Sequence, residues 1–571
     1  MKNVELAGIL RNVALLLEMD DVKFKPRAYE SAAKTIEAMP DSIEEIYRKG
    51  GIGSLLQISA VGKSIAEKVE EFIKTGHIQY YEELKKKVPV DLEGLSQIEG
   101  LGPKRIKSLW QALRIQNIDE LEKAAQVHKI CRVPGFQERT EQNILKSIEF
   151  ARRGRGRYVL GFVLPLINEI ENRLKSLPDV KKVAVAGSVR RMKETIGDAD
   201  FLAVSDNPKR VTEYFVSMPE VELVQAKGET KSTIRLQSAM HCDLRIVSDE
   251  SFGSALQYFT GSKDHNIGLR TIAIQKGLKL NEYGLFMGKR QIAGRTEEEI
   301  YKTLGLAWIP PELRENWGEL EAARRGQLPK LIWYGDLKGD LQVHTNWTDG
   351  KNFILEMAEV AKQLGLEYIA ITDHTKSLAM AKGLDENGLE KQAEEIEKAN
   401  DKIEGIKVLK GAEVNISKDG SLDVTDKALE KLDIVGAAIH SHFNLPKEEQ
   451  TKRIITAMQN PNVDILFHPT GRIIKQREAY AIDISKVIDV AVETGTVLEV
   501  DAFPDRLDLH DEYIKLAVQE GCKISIDSDA HTTSHLQLVR FGIAQARRGW
   551  ASAQDVINAN HLKELVALLK T

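Results

Sequence analysis

From residue 339 onward the chain repeats one device. A short apolar run ends on a histidine or carboxylate, and a helix-length segment follows. "GDLQVH", "YIAITDH", "KVLKGAEV", "DIVGAAIHSH", "VDILFHP", "TVLEVD" and "KISIDSDAH" all obey it. Such runs, separated by helices, read as buried parallel strands. Polar groups gathered at the C-terminal ends of parallel strands are the arrangement of the active face of a (β/α) barrel. The candidate metal ligands are His344, Asp349, His374, Glu413, His440, His468, Asp529 and His531. A single buried histidine is normally a satisfied core residue. Five histidines and three carboxylates at successive strand ends are poorly explained that way, and mixed imidazole and carboxylate suits zinc or manganese.

The other end of the chain has a different character. Residues 1–337 carry 52 Lys and Arg against 47 Asp and Glu, whereas residues 338–571 carry 28 against 38 and nine of the thirteen histidines. The split suggests a nucleic-acid-facing part and a metal-rich part, although a mild positive excess alone is ordinary surface solvation. At 571 residues the chain exceeds a single core. No run of about 18 apolar residues suggests a membrane span. The charged N-terminal stretch reads as an amphipathic helix and not a signal peptide. Cys131, Cys242 and Cys522 are far apart, so a reducing, cytoplasmic (nucleoid-associated) setting is expected.

The first 150 residues read as helical. "LLQISAVGKSIAEKVEEFI", "LSQIEGLGPKRIKSLWQAL" and "ICRVPGFQERTEQNILKSI" each place a small-residue turn before a helix. Backbone N–H groups at such a turn can face a phosphate. The segments resemble the helix-hairpin-helix module, which holds DNA by its backbone. On that resemblance Gly62, Lys63, Gly100, Gly102 and Lys104 are candidate DNA contacts. Ala60 stands where glycine is usual, and the third segment is a looser match. Three ordinary helix pairs are the alternative.

After residue 156 helices and strands alternate. In "AGSVRRMKETIGDADFLAVS" Asp198 and Asp200 fall on one face of a strand. Asp243 lies in a second strand, "HCDLRIV", with His241 and Arg245 on its side. Three carboxylates on adjacent strands repel unless a divalent cation lies between them, and magnesium prefers such oxygens shared with phosphates. Gly187 and Ser188 follow a strand and can offer donors to phosphate oxygens.

"GSVRR…GDADF", "YFTGSKDHNIGLR" and "KGLKLNEYGLF" make residues 1–317 resemble a family X DNA polymerase, the group of DNA polymerase beta. The resemblance implies that Asp198, Asp200 and Asp243 bind two magnesium ions, with Asp243 aiding deprotonation of the primer 3′-hydroxyl. It implies triphosphate contacts from Ser188, Arg191 and Gly197. It further implies a wall against the ribose 2′-hydroxyl from Tyr258, Phe259 and Gly261, and contacts of Asn266 and Arg270 with the nascent pair or template. "FKPRAYESAAKTI" and "GKSIAEKVEEF" resemble the family's lyase module, which puts Lys68 at the Schiff-base position. Phe24 and Ser64 replace a histidine and a lysine of that module, and a solvated lysine beside Glu67 is the other reading.

In residues 338–571, "TDH", "GAEVN", "HSH", "FHPTGR" and "DSDAH" resemble a PHP (polymerase and histidinol phosphatase) domain. The resemblance implies three metals, manganese or zinc. Gln342, His344, Glu413 and Asp529 would surround the first, Glu413, His440 and His468 the second, and Asp349, His374 and His531 the third. Arg472 and Arg506 would hold a scissile phosphate. Gln342 departs from the family, which usually has histidine there, but an amide oxygen can still ligate.

The expected architecture is multidomain, α+β followed by α/β. It comprises a lyase-like helical domain (1–84), a fingers-like hairpin domain (85–156), a nucleotidyltransferase palm with a mixed sheet (157–249), a thumb (250–317), a linker (318–337) and a distorted (β/α) barrel (338–571). The expected function is gap-filling DNA repair synthesis with a 3′→5′ exonuclease or abasic-site endonuclease in the barrel. Gapped or primer–template DNA and dNTPs are the partners, with a monomer acting. A barrel that serves only as a platform, or a DNA-binding scaffold with weakened sites, remains the alternative.

Overall fold

The computed structural model describes all residues except 1, 21, 39–41, 59, 97, 99–100, 154–155 and 570–571. Two compact units are present, residues 1–155 with 475–477, and residues 156–474 with 478–571.

The first unit is built on helices. The helix Lys63–Thr75 shows how the sequence sets its bounds. Gly62 enters it in an extended conformation, and Ile65, Ala66, Val69 and Phe72 fall on one face and are buried. Gly76 ends it at φ 76°, its N–H donating to the Phe72 carbonyl. Pro103–Leu113 begins the same way, with Gly102 at the cap, proline in the first turn, and Ile106 and Leu109 buried. Gly62, Lys63, Gly102 and Lys104 are exposed at these two helix starts; Gly100 lies outside the described residues. The third segment differs from the first two. The helix Glu138–Arg153 carries an acidic first turn. Glu141 accepts from the Cys131 N–H at 3.0 Å and pairs with His128 at 2.7 Å. An acidic side chain thus ties that turn to its own helix.

Ala60 stands at φ 64°. That region strains an L side chain by about 1 kcal/mol. Allowing for glycine's greater freedom in the unfolded chain, Ala60→Gly should stabilise the first unit by about 0.5 kcal/mol. Guanidinium unfolding of parent and variant measures it, and an unchanged or lowered midpoint refutes it.

In the second unit a five-stranded mixed sheet comes first. Its strand order is Val180–Val185, Asp198–Ser205, His241–Ile246, Lys231–Leu236 and Val221–Lys227. Only the pair Asp198–Ser205 and His241–Ile246 is parallel. Ile167, Ile170 and Leu174 of one helix and Val211 and Phe215 of another bury Phe201, Ala203 and Leu244 of the sheet. The helices Phe252–Thr260 and Lys263–Gln275 follow, then a small antiparallel sheet of Lys279–Asn281, Gly284–Met287 and Arg290–Ala293.

Seven parallel strands then run in chain order: Gly339–Val343, Tyr368–Ile371, Lys407–Asn415, Ile434–Ala438, Ile465–Leu466, Val497–Asp501 and Ile524–Asp527. The first and last strands meet, with the His344 N–H on the Ala530 carbonyl at 2.8 Å and the Leu341 N–H on the Asp527 carboxylate at 2.7 Å. The barrel is therefore nearly closed. Leu341, Tyr368, Leu409, Ile434, Ile465 and Val497, from six different strands, share one apolar cluster, as the inside of a barrel requires.

Palm and barrel share a core. Ile474, Leu507 and Phe541 of the barrel are buried in the palm's apolar cluster. Gly161 of the palm comes so near that an added Cβ would lie 2.4 Å from Pro504 Cβ. Among the described residues no helix is long and apolar enough to cross a membrane.

Candidate functional site

The first constellation forms where the parallel pair of palm strands lies side by side. Asp198 and Asp200 share a face because Ala199 and Phe201, between and beyond them, are buried on the other. The strand register sets Asp200 opposite Asp243 and Asp198 opposite His241. The Thr233 hydroxyl donates to Asp243 Oδ1 at 2.6 Å, and Lys231 lies 3.4 Å from Oδ2. Burial, then the charges of Asp198 and Asp243, push the Asp200 carboxyl up to about 7. A cation between the three carboxylates would relieve that repulsion, so the donor set fits a hard divalent ion. Gly187 has φ 64°, and an added Cβ would lie 2.7 Å from Asp200 Oδ2. Only glycine lets the backbone carrying Ser188 approach this closely. Gly197 sits immediately before Asp198, half-buried.

Beside the carboxylates is a cavity of about 310 Å³ lined by Arg191, Tyr258, Phe259, Gly261, Asn266 and Arg270, with Ser262 and Lys263. Six of the nucleotide-contact candidates read from the sequence thus line one space. Asn266 donates to the Tyr258 carbonyl and accepts from Gln257, both at 2.7 Å, so its amide braces the aromatic wall. Arg191 Nε donates to Glu315 Oε1 at 3.0 Å.

In the first unit, Lys68 Nζ lies 4.9 Å above the Tyr80 ring and 3.2 Å from both the Ser64 hydroxyl and the Ser64 carbonyl. Tyr80 in turn stacks on Tyr29 at 6.4 Å.

The second constellation crowns the barrel. Glu413, 1% exposed, is its hub. Oε1 lies 2.9 Å from His440 Nε2 and 2.8 Å from His468 Nε2; Oε2 lies 3.2 Å from His374 Nδ1 and 3.3 Å from His344 Nε2. His344 also reaches Asp529 at 3.1 Å, and Asp349 lies 3.6 Å from His374 and 3.4 Å from His531. Burial works to raise the Glu413 carboxyl, but the imidazoles of His374 and His440 outweigh it and hold it well below the usual range.

All eight ligand candidates converge here. One atom each of His344, Asp349, His374 and His531 lies within 4.8 Å of the others, as do those of His374, Glu413 and His440. His344 thus links the two sets: its Nε2 meets Glu413 and Asp529, while its ring stacks on His374 at 4.5 Å and on His531 at 4.3 Å. Among the described residues, buried Gln342 Oε1, His344 Nδ1 and His468 Nδ1 have no hydrogen-bond partner, and His344 Nε2 and His374 Nδ1 meet carboxylates without hydrogen-bond geometry. Metal coordination satisfies donor atoms of this kind, so the residues fit the divalent ions that the arrangement implies. Gln342 is fully buried, its amide nitrogen 3.4 Å from Glu413 Oε2.

Arg506 Nε lies 3.6 Å from Asp529 and 3.3 Å from Asp501, at the rim of the centre. The resemblance implies a phosphate contact for Arg472 as well. Its guanidinium pairs with Glu194 of the palm at 2.7 Å and also meets the Leu507 carbonyl. Asn415, unassigned in the sequence, accepts at Oδ1 from His440 Nδ1–H at 2.7 Å and so orients that ring. Its place in "GAEVN" was the only signal for it.

A mixed-sheet palm with three facing carboxylates, fused to a seven-stranded barrel with a histidine–carboxylate centre, defines a nucleotidyltransferase joined to a PHP-type domain. The chain matches the DNA polymerase beta thumb over residues 255–315 and the PHP domain over 340–561. It also matches a helix-hairpin-helix domain over 1–78 and a SAM-like helix-hairpin-helix tandem over 92–149. It is 37% identical over the full length of both chains to the DNA polymerase/3′-5′ exonuclease PolX of Bacillus subtilis (strain 168). A probable phosphatase of Thermoanaerobacter sp. (strain X514) is 38% identical over 190 residues, 32% of this chain and 73% of that protein. A crystal structure of Leishmania infantum polymerase beta, a ternary P/T complex, is 23% identical, covers 39% of this chain and 97% of that one, and has a TM-score of 0.26. The chain belongs to the PolX family, the family X DNA polymerases that carry a C-terminal PHP domain. Its helix-hairpin-helix domains mark it as DNA-binding.

Proposed function

We propose that the protein fills short gaps in damaged DNA and trims 3′ ends with a separate metal centre in its barrel. The observation that carries this is the facing trio Asp198, Asp200 and Asp243 beside the cavity lined by Arg191, Tyr258 and Asn266. Magnesium ions held by the trio would offset triphosphate charge and favour an ionised primer 3′-hydroxyl. Arg191 and Ser188 supply positive charge and donors to the phosphates. Tyr258, Phe259 and Gly261 close the sugar side. In the barrel, Arg506 faces the ligand cluster and is the side chain best placed to steady a phosphodiester. The two glycine-capped helix starts of the first unit would grip backbone phosphates, which makes affinity salt-dependent and indifferent to sequence. A cytoplasmic monomer is the working form in this reading.

The test is a gapped, 5′-phosphorylated duplex incubated with and without dNTPs, under magnesium or manganese. Filling of the gap with dNTPs and shortening of the primer without them are expected. A primer that never lengthens rejects the polymerase reading. A primer that never shortens under manganese leaves the barrel as a platform.

Gln342 adds a prediction about the metal. A neutral amide oxygen is a harder and weaker donor than imidazole, which biases its position toward manganese over zinc. Gln342→His should retain more zinc through dialysis and lose the dependence of trimming on added manganese. Equal zinc content and an equal manganese requirement in both proteins would show that Gln342 is not a ligand.

A further inference from the structure

We infer that Arg548, a side chain of the barrel, is a positioning residue for the polymerase's nucleotide site. The inference rests on the polymerase reading above. Arg548 is 1% exposed. Its Nη1 donates to the main-chain carbonyl of Arg191 at 2.9 Å and to Glu315 Oε1 at 3.1 Å. Its Nη2 lies 2.6 Å from Asp511 Oδ2, and Asp511 is itself 2% exposed.

Two consequences reach the cavity. The first is charge. Glu315 Oε1 is shared between Arg548 and Arg191 Nε, the latter at 3.0 Å. Without Arg548, more of the carboxylate charge falls on Arg191, with Lys193 Nζ farther off at 3.9 Å, and a triphosphate entering the cavity meets a more nearly neutralised guanidinium. The second is backbone placement. Met192, next after Arg191, sits at φ 52°, a conformation that persists only when its surroundings hold it. The hydrogen bond from Arg548 to the Arg191 carbonyl supplies such a restraint, from a part of the chain more than 350 residues away. Asp511 anchors Arg548 from the opposite side, with His510 Nδ1 on its other oxygen at 2.9 Å. The nucleotide site of the palm is thus completed by the barrel.

The experiment uses the full chain. Parent, Arg548→Lys and Asp511→Asn are assayed for dNTP KM and kcat in gap filling, and for manganese-dependent trimming of the same primer. Lysine keeps the charge but cannot span all three acceptors. Charge-assisted hydrogen bonds of this kind carry enough free energy to predict a KM about tenfold higher for Arg548→Lys and about threefold higher for Asp511→Asn. In both, kcat should stay near the parent value. Trimming reports that the barrel is folded. In an Arg191→Ala background, Arg548→Lys should raise KM no further, because its effect runs through Arg191. A residue that merely holds the fold together would lower kcat, trimming and stability alike, and its effect would add to that of Arg191→Ala. Parent KM in both single variants, or full additivity, overturns the inference. A parent that never extends a primer overturns the polymerase reading instead, and this inference with it.

Discussion

Asp200→Ala should lower gap filling by about a thousandfold, corresponding to ~4 kcal/mol of lost transition-state stabilisation, while 3′ trimming under manganese stays at the parent rate. Asp200 lies opposite Asp243 at the centre of the palm's parallel strand pair, its carboxyl raised by burial and by both neighbours. Removing it takes away the group that most needs a cation and leaves Asp198 and Asp243 to hold one across a gap. The effect on extension is therefore large. The effect on fold is small, because the raised carboxyl contributes repulsion, not stability, to the metal-free sheet. Trimming is spared because the barrel's ligand cluster shares no residue with the palm trio. Primer extension and shortening, scored on one labelled gapped substrate, separate the two. Loss of trimming in Asp200→Ala would mean that the two reactions use one centre.

The parts of this arrangement that repeat along a strand were legible in the sequence. Alternation alone sets Asp198 and Asp200 on one face. Seven short apolar runs with polar ends announce a parallel barrel, and the eight ligand candidates do converge at its mouth. What could not be read is what crosses from one element to another. Nothing near Arg472 in the chain announces that its guanidinium meets Glu194, 278 residues earlier. Arg548 sits in a helix whose periodicity gives only a buried face, with no hint that its partners are Glu315 and the Arg191 carbonyl. Which imidazoles stack on His344 is set by how far each strand end projects, and spacing in the chain does not encode that. In the third hairpin-like segment, turn composition gave no hint that Glu141 of the following helix reaches back to hold the turn.

Glu413→Gln should be the most damaging single change to the barrel centre, lowering trimming by about a thousandfold through loss of bound metal while gap filling continues near the parent rate. The carboxylate touches four imidazoles through two oxygens, and the Gln342 amide lies 3.4 Å from one of them. Glutamine has the same shape, so packing survives, but it replaces an anion at the hub with a neutral amide. One of its ends becomes a donor that points at nitrogens which must themselves be bare to bind a cation. The buried site then has too little negative charge to hold divalent ions against water. His440→Ala should be milder, since His440 meets only one Glu413 oxygen, is 15% exposed, and can be replaced by solvent. Elemental analysis after dialysis, run beside trimming rates for parent, Glu413→Gln and His440→Ala, gives the order of loss directly. If Glu413→Gln keeps its full metal content and trims at the parent rate, the hub is only a structural ion pair among histidines, and the catalytic centre must be sought around Asp349, His374 and His531 alone.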